Sequence, residues 1–215
     1  MTPDAIYGHL YEASAATAYD PFDRHVLACI FAAGVQECGS GVSLPDAVGI
    51  GGVQLRAAIE RHFPGMLKRL KPLGLDGEPA VDADEQCLRE LLGRFRSTPS
   101  SFNSLLATLV ARRATRPNHL WQDLGLSNRG QLSSLMQRHF PLLAARNTQD
   151  MKWKKFFFRM ICRDDAYRLC AAPCCSECSD FDACFGDETG ESLLARVRLH
   201  AEFIPAAQIA PMRTV

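Results

Sequence analysis

The chain has 215 residues, 47% of them hydrophobic, with 24 Lys+Arg against 24 Asp+Glu. That length suits one domain, or one domain with a small metal-bound appendage, and the apolar share is ample for a core. A net charge of zero excludes a global field steering the chain onto nucleic acid or a membrane surface, and Arg, Asp, Glu or Lys interrupts every apolar run well short of a membrane span.

The opening Met1-Thr-Pro-Asp-Ala-Ile-Tyr lacks the basic-then-apolar order of a signal peptide, which predicts a cytoplasmic protein with reduced thiols. Beyond an N-terminal segment (1–19), the pattern is helical almost throughout and no alternating strand pattern occurs, so the expected fold class is all-α. Asp20-Pro21-Phe22-Asp23 reads as a helix start, with Asp20 as cap and Pro21 in the first turn, and the helix should run to about Val35 and end near Gly39. Residues 83–96 and Ser101–Arg113 are two further amphipathic candidates, the second with Leu105, Leu106, Leu109 and Val110 on one stripe. Gly- and Pro-bearing stretches at 39–45, 72–79 and 97–100 read as loops. Gly49-x-Gly51-Gly52 follows no strand and reads as a turn, not as a dinucleotide site. A helical domain (20–169), a cysteine-rich loop (170–190) and a C-terminal helix and tail (191–215) complete a single-domain chain.

One stretch is repeated. Val48-Gly-Ile-Gly-Gly-Val-Gln-Leu55 through Arg61-His62-Phe63-Pro64 resembles Leu124-Gly-Leu-Ser-Asn-Arg-Gly-Gln-Leu132 through Arg138-His139-Phe140-Pro141, with one residue inserted to keep the glycines aligned. Each copy reads as a Gly turn, a short helix and a stop at Phe-Pro, so approximate internal symmetry is expected. His62 and His139 are then either metal ligands across a pseudo-twofold or two helix-terminal histidines favoured by the helix dipole.

Residues 146–165 read as a basic, aromatic helix. At helical spacing Trp153, Phe157, Met160 and Ile161 share one face, and Lys152, Lys155, Arg159 and Arg163 lie along another. An ordinary core-facing helix has this pattern too. Its position gives it further interest, because it leads into Cys170, and cations beside a thiolate-held cluster lower the cost of that charge or draw in an oxyanion.

Five of the nine cysteines crowd into Cys170–Cys184. With Cys174 set aside the spacing is C-x4-C-x2-C-x5-C, and in a reducing compartment it reads as metal ligation. Structural zinc usually takes two C-x2-C knuckles, and plant-type [2Fe–2S] sites take a distant fourth ligand. Four thiolates in one short loop favour a cubane-type cluster, [4Fe–4S] or a heterometal relative. The candidate ligands are Cys170, Cys175, Cys178 and Cys184, with Cys174 an alternate ligand or a redox-labile thiol. Cys29, in an apolar run, reads as a small core residue. An electron-transfer protein with a permanent [4Fe–4S] cluster and a zinc-stabilised helical adaptor both remain open on spacing alone.

Asp150-Met-Lys-Trp-Lys-Lys-Phe-Phe-Phe-Arg, Leu169-Cys170-Ala-Ala-Pro and Cys175-Ser-Glu-Cys178-Ser-Asp-Phe-Asp-Ala-Cys184-Phe-Gly together resemble the C-terminal signature of the NifQ family of nitrogen-fixation proteins. Phe22-Asp-Arg-His-Val-Leu-Ala and Arg138-His-Phe-Pro-Leu-Leu-Ala-Ala-Arg-Asn extend the resemblance over about residues 20–190. The resemblance implies a cytoplasmic molybdenum–iron–sulfur protein with no substrate turnover. It would carry a Mo-Fe-S cluster (Mo-3Fe-4S type) or a 4Fe-4S cluster on the four cysteines. Molybdate or another molybdenum source would load it, and it would donate molybdenum for the nitrogenase iron–molybdenum cofactor. The implied partners are the NifEN scaffold and the iron protein NifH.

Overall fold

The computed structural model describes residues 3–164; the candidate ligands Cys170, Cys174, Cys175, Cys178 and Cys184 and the segment 191–215 lie outside the described residues. Among the described residues the fold is helical, without strands. The helices are α1 (Pro3–Ser14), α2 (Pro21–Cys38), α3 (Leu44–Val48), α4 (Gly52–His62), α5 (Leu67–Leu70), α6 (Ala83–Arg94), α7 (Ser101–Ala114), α8 (Leu120–Asp123), α9 (Arg129–His139), α10 (Pro141–Ala144) and α11 (Trp153–Asp164). A single 3-10 turn, Lys71–Leu73, follows α5.

The helix starts are written in cap chemistry. Asp20 accepts from the Phe22 amide at 2.8 Å, and Pro21 takes a first-turn position whose N–H would be unpaired in any case. Ser43, Asp82, Ser100 and Asn128 likewise accept from the amide three residues on, at the starts of α3, α6, α7 and α9. α2 is buried from Phe22 to Val35 apart from Arg24, and α7 is buried over Leu109–Ala114, as befits the central helix of a bundle.

The weak sequence repeat belongs to a larger one. The first ten helices form two successive sets of five in the same order: a medium helix, a long central one, a short one, an amphipathic one, and a final single turn. Their lengths are 12, 18, 5, 11 and 4 residues in the first set and 12, 14, 4, 11 and 4 in the second. α1 packs on α2 as α6 packs on α7. α4 buries Leu55, Ala58, Ile59 and His62; α9 buries Leu132, Leu135, Met136 and His139, the same i, i+3, i+4, i+7 positions. Both end at a phenylalanine of nearly identical backbone, Phe63 (φ −135°) and Phe140 (φ −136°). Gly49 (φ 76°) and Gly125 (φ 71°) hold the left-handed turn before each. At Gly49 a Cβ would also lie 2.7 Å from Arg112 Cβ.

Polar contacts stitch the two sets together. Arg113, fully buried on α7, pairs with Glu37 at the end of α2 and donates to the carbonyls of Asp123 (2.6 Å) and Ala47 (3.3 Å). Arg116 pairs with the same Glu37 at 2.8 Å. Arg89 of α6 donates to the Gly49 carbonyl at 2.6 Å and pairs with buried Glu85, which also faces Arg112 at 3.1 Å. Burial holds the pKa of both Arg112 and Arg113 below the ordinary guanidinium value, against the pull of these carboxylates. α11 has no counterpart in the first set; it lies against α6.

Candidate functional site

The helix leading to the cysteines is shorter than its composition predicts. Residues 146–152 are not helical, and α11 begins at Trp153. Local hydrogen bonding takes the backbone out of the helix. Asn147 accepts from the Met151 amide at 2.9 Å and donates to the Met151 carbonyl at 2.8 Å, closing a loop across four residues. Asp150 takes a left-handed backbone (φ 53°), and Arg129 of α9 donates to its carbonyl at 2.6 Å and its carboxylate at 2.9 Å. The loop is therefore pinned from within and from α9.

Once started, α11 follows the expected amphipathic logic. Trp153, Phe157 and Met160 are buried, Phe156 joins them, and Ile161 is half-buried against the core. Trp153 meets Phe156 nearly edge-on, their ring centroids 5.8 Å apart. Lys155 is exposed, while Lys152 and Arg159 are half-buried. Lys154, which sequence reasoning passed over, has a structural role. Its ammonium donates to the carbonyls of Arg116 and of Asn118 (2.5 Å) and pairs at 2.5 Å with Asp123, itself 1% exposed. Burial lowers the lysine pKa and the Asp123 carboxylate opposes that shift. The pair fastens α11 to the second helix set.

Between the 145–149 loop and α11 lies a cleft of about 810 Å³, lined by Ala145–Gln149, Met151, Phe156, Arg159 and Met160. Among the described residues its lining carries two guanidinium side chains, and the nearby Asp150 is paired with Arg129. Arg146 rests over the Phe95 ring, 4.4 Å from its centroid.

The two repeat histidines do come together, although not around a metal. Both close their helices, and the Phe102 ring lies between them, its centroid 5.9 Å from that of His62 and 5.4 Å from that of His139. His139 meets Asp23 at 3.0 Å through Nε2 and the Asn103 side-chain oxygen at 2.9 Å through Nδ1. Both ring nitrogens are thus engaged by protein side chains, and neither is left facing an open ligand position. His62 is buried beside Tyr19, its Nδ1 unpartnered, and burial pushes its pKa down to about 4. Among the described residues no three His, Cys, Asp or Glu side chains converge into a metal-holding group. Cys29 is a core residue, its Sγ 3.7 Å from both ring nitrogens of His25, which shares a 2.8 Å hydrogen bond with the Tyr7 hydroxyl. Of the glycine run expected to form a turn, Gly49 holds the left-handed turn, while Gly51 caps α4 and Gly52 begins it, its amide donating to the Gly77 carbonyl at 2.8 Å. Among the described residues no helix is long and apolar enough to cross a membrane.

The profile of the NifQ family matches residues 26–186. The chain is 41% identical to a Protein NifQ homolog of Sinorhizobium fredii over 175 residues, 80% of this chain and 75% of that one. It is 37% identical to the Protein NifQ of Rhodobacter capsulatus over 163 residues, 75% of this chain and 89% of that one. The Protein NifQ of Azotobacter vinelandii is 42% identical over a shorter stretch of 83 residues, 39% of this chain and 43% of the relative. No solved structure matches the chain.

Proposed function

The chain belongs to the NifQ family, and on that premise we propose that it is a molybdenum donor for assembly of the nitrogenase iron–molybdenum cofactor, a carrier and not an enzyme. The observation that carries this reading is the reach of the family match, which runs to residue 186 and so across all four spaced cysteines. Cys170, Cys175, Cys178 and Cys184 hold the cluster, and the cluster is cargo. In a cluster of one molybdenum and three irons, three thiolates suffice for iron, and an exchangeable donor at molybdenum lets that metal leave. The cysteines follow in sequence a helix fastened by Lys154 and an aromatic face, so a partner of the NifEN or NifH kind can approach the cargo while the helical body stays folded. The cytoplasm, where thiols stay reduced, is the fitting compartment.

The test is elemental analysis of protein purified without oxygen from cells supplied with molybdate. Iron, acid-labile sulfide and molybdenum together support the carrier. Iron and sulfide without molybdenum replace it with a redox protein, and zinc alone replaces it with a structural site. Cys→Ser at the four positions is expected to remove iron and sulfide while the far-ultraviolet circular dichroism of the helical body is kept.

A further inference from the structure

We propose that the end of α4, α5 and the 3-10 turn after it form a docking surface for an acidic face of the protein that takes the metal. This rests on the carrier reading and adds to it the place where the receiver lands. Arg61, Lys68, Arg69 and Lys71 are all exposed, and residues 61–71 contain no Asp or Glu. Glu60, also exposed, precedes them, so over residues 60–71 four cations stand against one carboxylate. Among the described residues, none of the four is hydrogen-bonded or ion-paired through its side chain. The fold uses cations elsewhere for its own cohesion: Arg89, Arg113, Arg116, Arg129, Arg138 and Lys154 are each paired with a carboxylate. The platform under the free cations is fixed. Met66, Leu70 and Leu75 are buried beneath it, and Gly65 (φ 81°) and Gly74 (φ 73°) turn the chain at its two ends.

The second helix set is an internal control. There the equivalent arginine, Arg138, is paired with Asp20 at 3.0 Å and with Asp23 at 3.3 Å, and the equivalent single turn, Pro141–Ala144, carries no charge. The same turn thus folds without these cations, so the first set does not hold them for the fold. The helix dipole favours Arg61 in the last turn of α4, but α5 has only four residues, and crowded like charges repel. An acidic protein face relieves that repulsion. It also gains steering, which sets the rate of encounter more than the strength of the complex, as suits a carrier that must dock and leave. No aromatic ring is exposed between residues 61 and 71 to stack on a base, and the large exposed apolar residues Val53, Val81 and Leu142 lie outside that stretch, so nothing there inserts into a membrane.

The experiment measures association of the full-length protein, purified without oxygen, with purified NifEN and NifH as probes, over a series of salt concentrations. Binding to at least one probe is expected, with an association rate that falls as salt rises. Combining Arg61→Glu, Lys68→Glu, Arg69→Glu and Lys71→Glu should slow association about tenfold or more at low salt, with circular dichroism unchanged. Lys68→Glu alone should slow it measurably, while Lys155→Glu, at an exposed cation of α11, should not. Carbodiimide cross-linking should join Lys68 or Lys71 to a carboxylate of the probe. No binding to either probe, binding indifferent to the four cations, or equal loss in Lys155→Glu would each overturn the assignment. Cross-links confined to the chain's own acids at 177–191 would overturn it in favour of that segment, and tighter, cation-dependent binding to duplex DNA in favour of nucleic acid. The two readings fail separately. Protein that carries molybdenum and docks without regard to the four cations keeps the carrier and removes the surface. Docking that depends on them in a protein that never acquires molybdenum keeps the surface and removes the carrier.

Discussion

His62 and His139 close equivalent helices, yet only His139 is hydrogen-bonded at both ring nitrogens. A buried donor or acceptor without a partner costs about 1–3 kcal/mol, so His62 is a site where the native state gives up stability. His62→Phe keeps an aromatic ring beside Tyr19 and Phe102 and removes the orphaned nitrogen; it is expected to raise the urea midpoint. His139→Phe should lower it, because the buried Asn103 oxygen then loses its partner and Asp23 keeps only Arg138. The pH dependence has a definite sign. The folded pKa of His62, about 4, lies below its ordinary 6.5, so the unfolded chain binds the proton first. Stability should therefore fall as pH drops from about 6.5 to about 4, and His62→Phe should flatten that part of the curve. If the wild-type and His62→Phe curves run parallel there, His62 is not the group responsible. The pairing of the two histidines was legible from the repeat. Their difference was not, because Asp23 and Asn103 stand far from His139 in sequence and meet it only through packing.

Among the elements, α11 is tied down by a buried pair, Lys154 with Asp123. Its aromatic stripe could be read directly, since apolar residues three and four apart announce a buried face. The start of the helix could not, because the 146–152 stretch is claimed by Asn147 side-chain bonds and the left-handed Asp150, contacts that carry no periodicity. Lys154 was equally hidden, as one basic residue among several until the fold puts Asp123 beneath it. Lys154→Met leaves that carboxylate buried without its cation, a loss of about 3–5 kcal/mol for pairs of this kind. Lys154→Met combined with Asp123→Leu should recover most of it. Thermal or urea unfolding of the three variants checks both statements; a double variant no more stable than Lys154→Met would show that the site needs the ion pair itself. The cysteine set, by contrast, is a reading of spacing alone, because Cys170, Cys175, Cys178 and Cys184 lie outside the described residues.

For the whole molecule, the two five-helix sets share one core and are cross-bonded by Arg113 to Glu37, Arg89 to Gly49, His139 to Asp23 and Arg138 to Asp20. Neither set can expose its face without stranding buried charge on the other, so the pair should unfold as one unit. Trp121 and Trp153, the chain's two tryptophans, both lie beyond the first set, while far-ultraviolet circular dichroism reports on both sets. Coincident urea transitions by the two signals are expected; an earlier fluorescence transition would mean that the second set opens alone. Sequence comparison within the chain caught this doubling at Gly49–Pro64 and Gly125–Pro141, where turn and stop residues recur. It missed the flanking helices, which share length and burial but few residue identities. The doubling also gives the 145–164 segment its meaning. In the first set, the chain that leaves the last short helix is a connector whose task is to begin the second copy. In the second set that same exit leads instead into the loop, the cleft and α11, which precede the cysteines in sequence. The chain is conservative over its two sets of five helices, and the segment that leads toward its cysteines is built on a different plan.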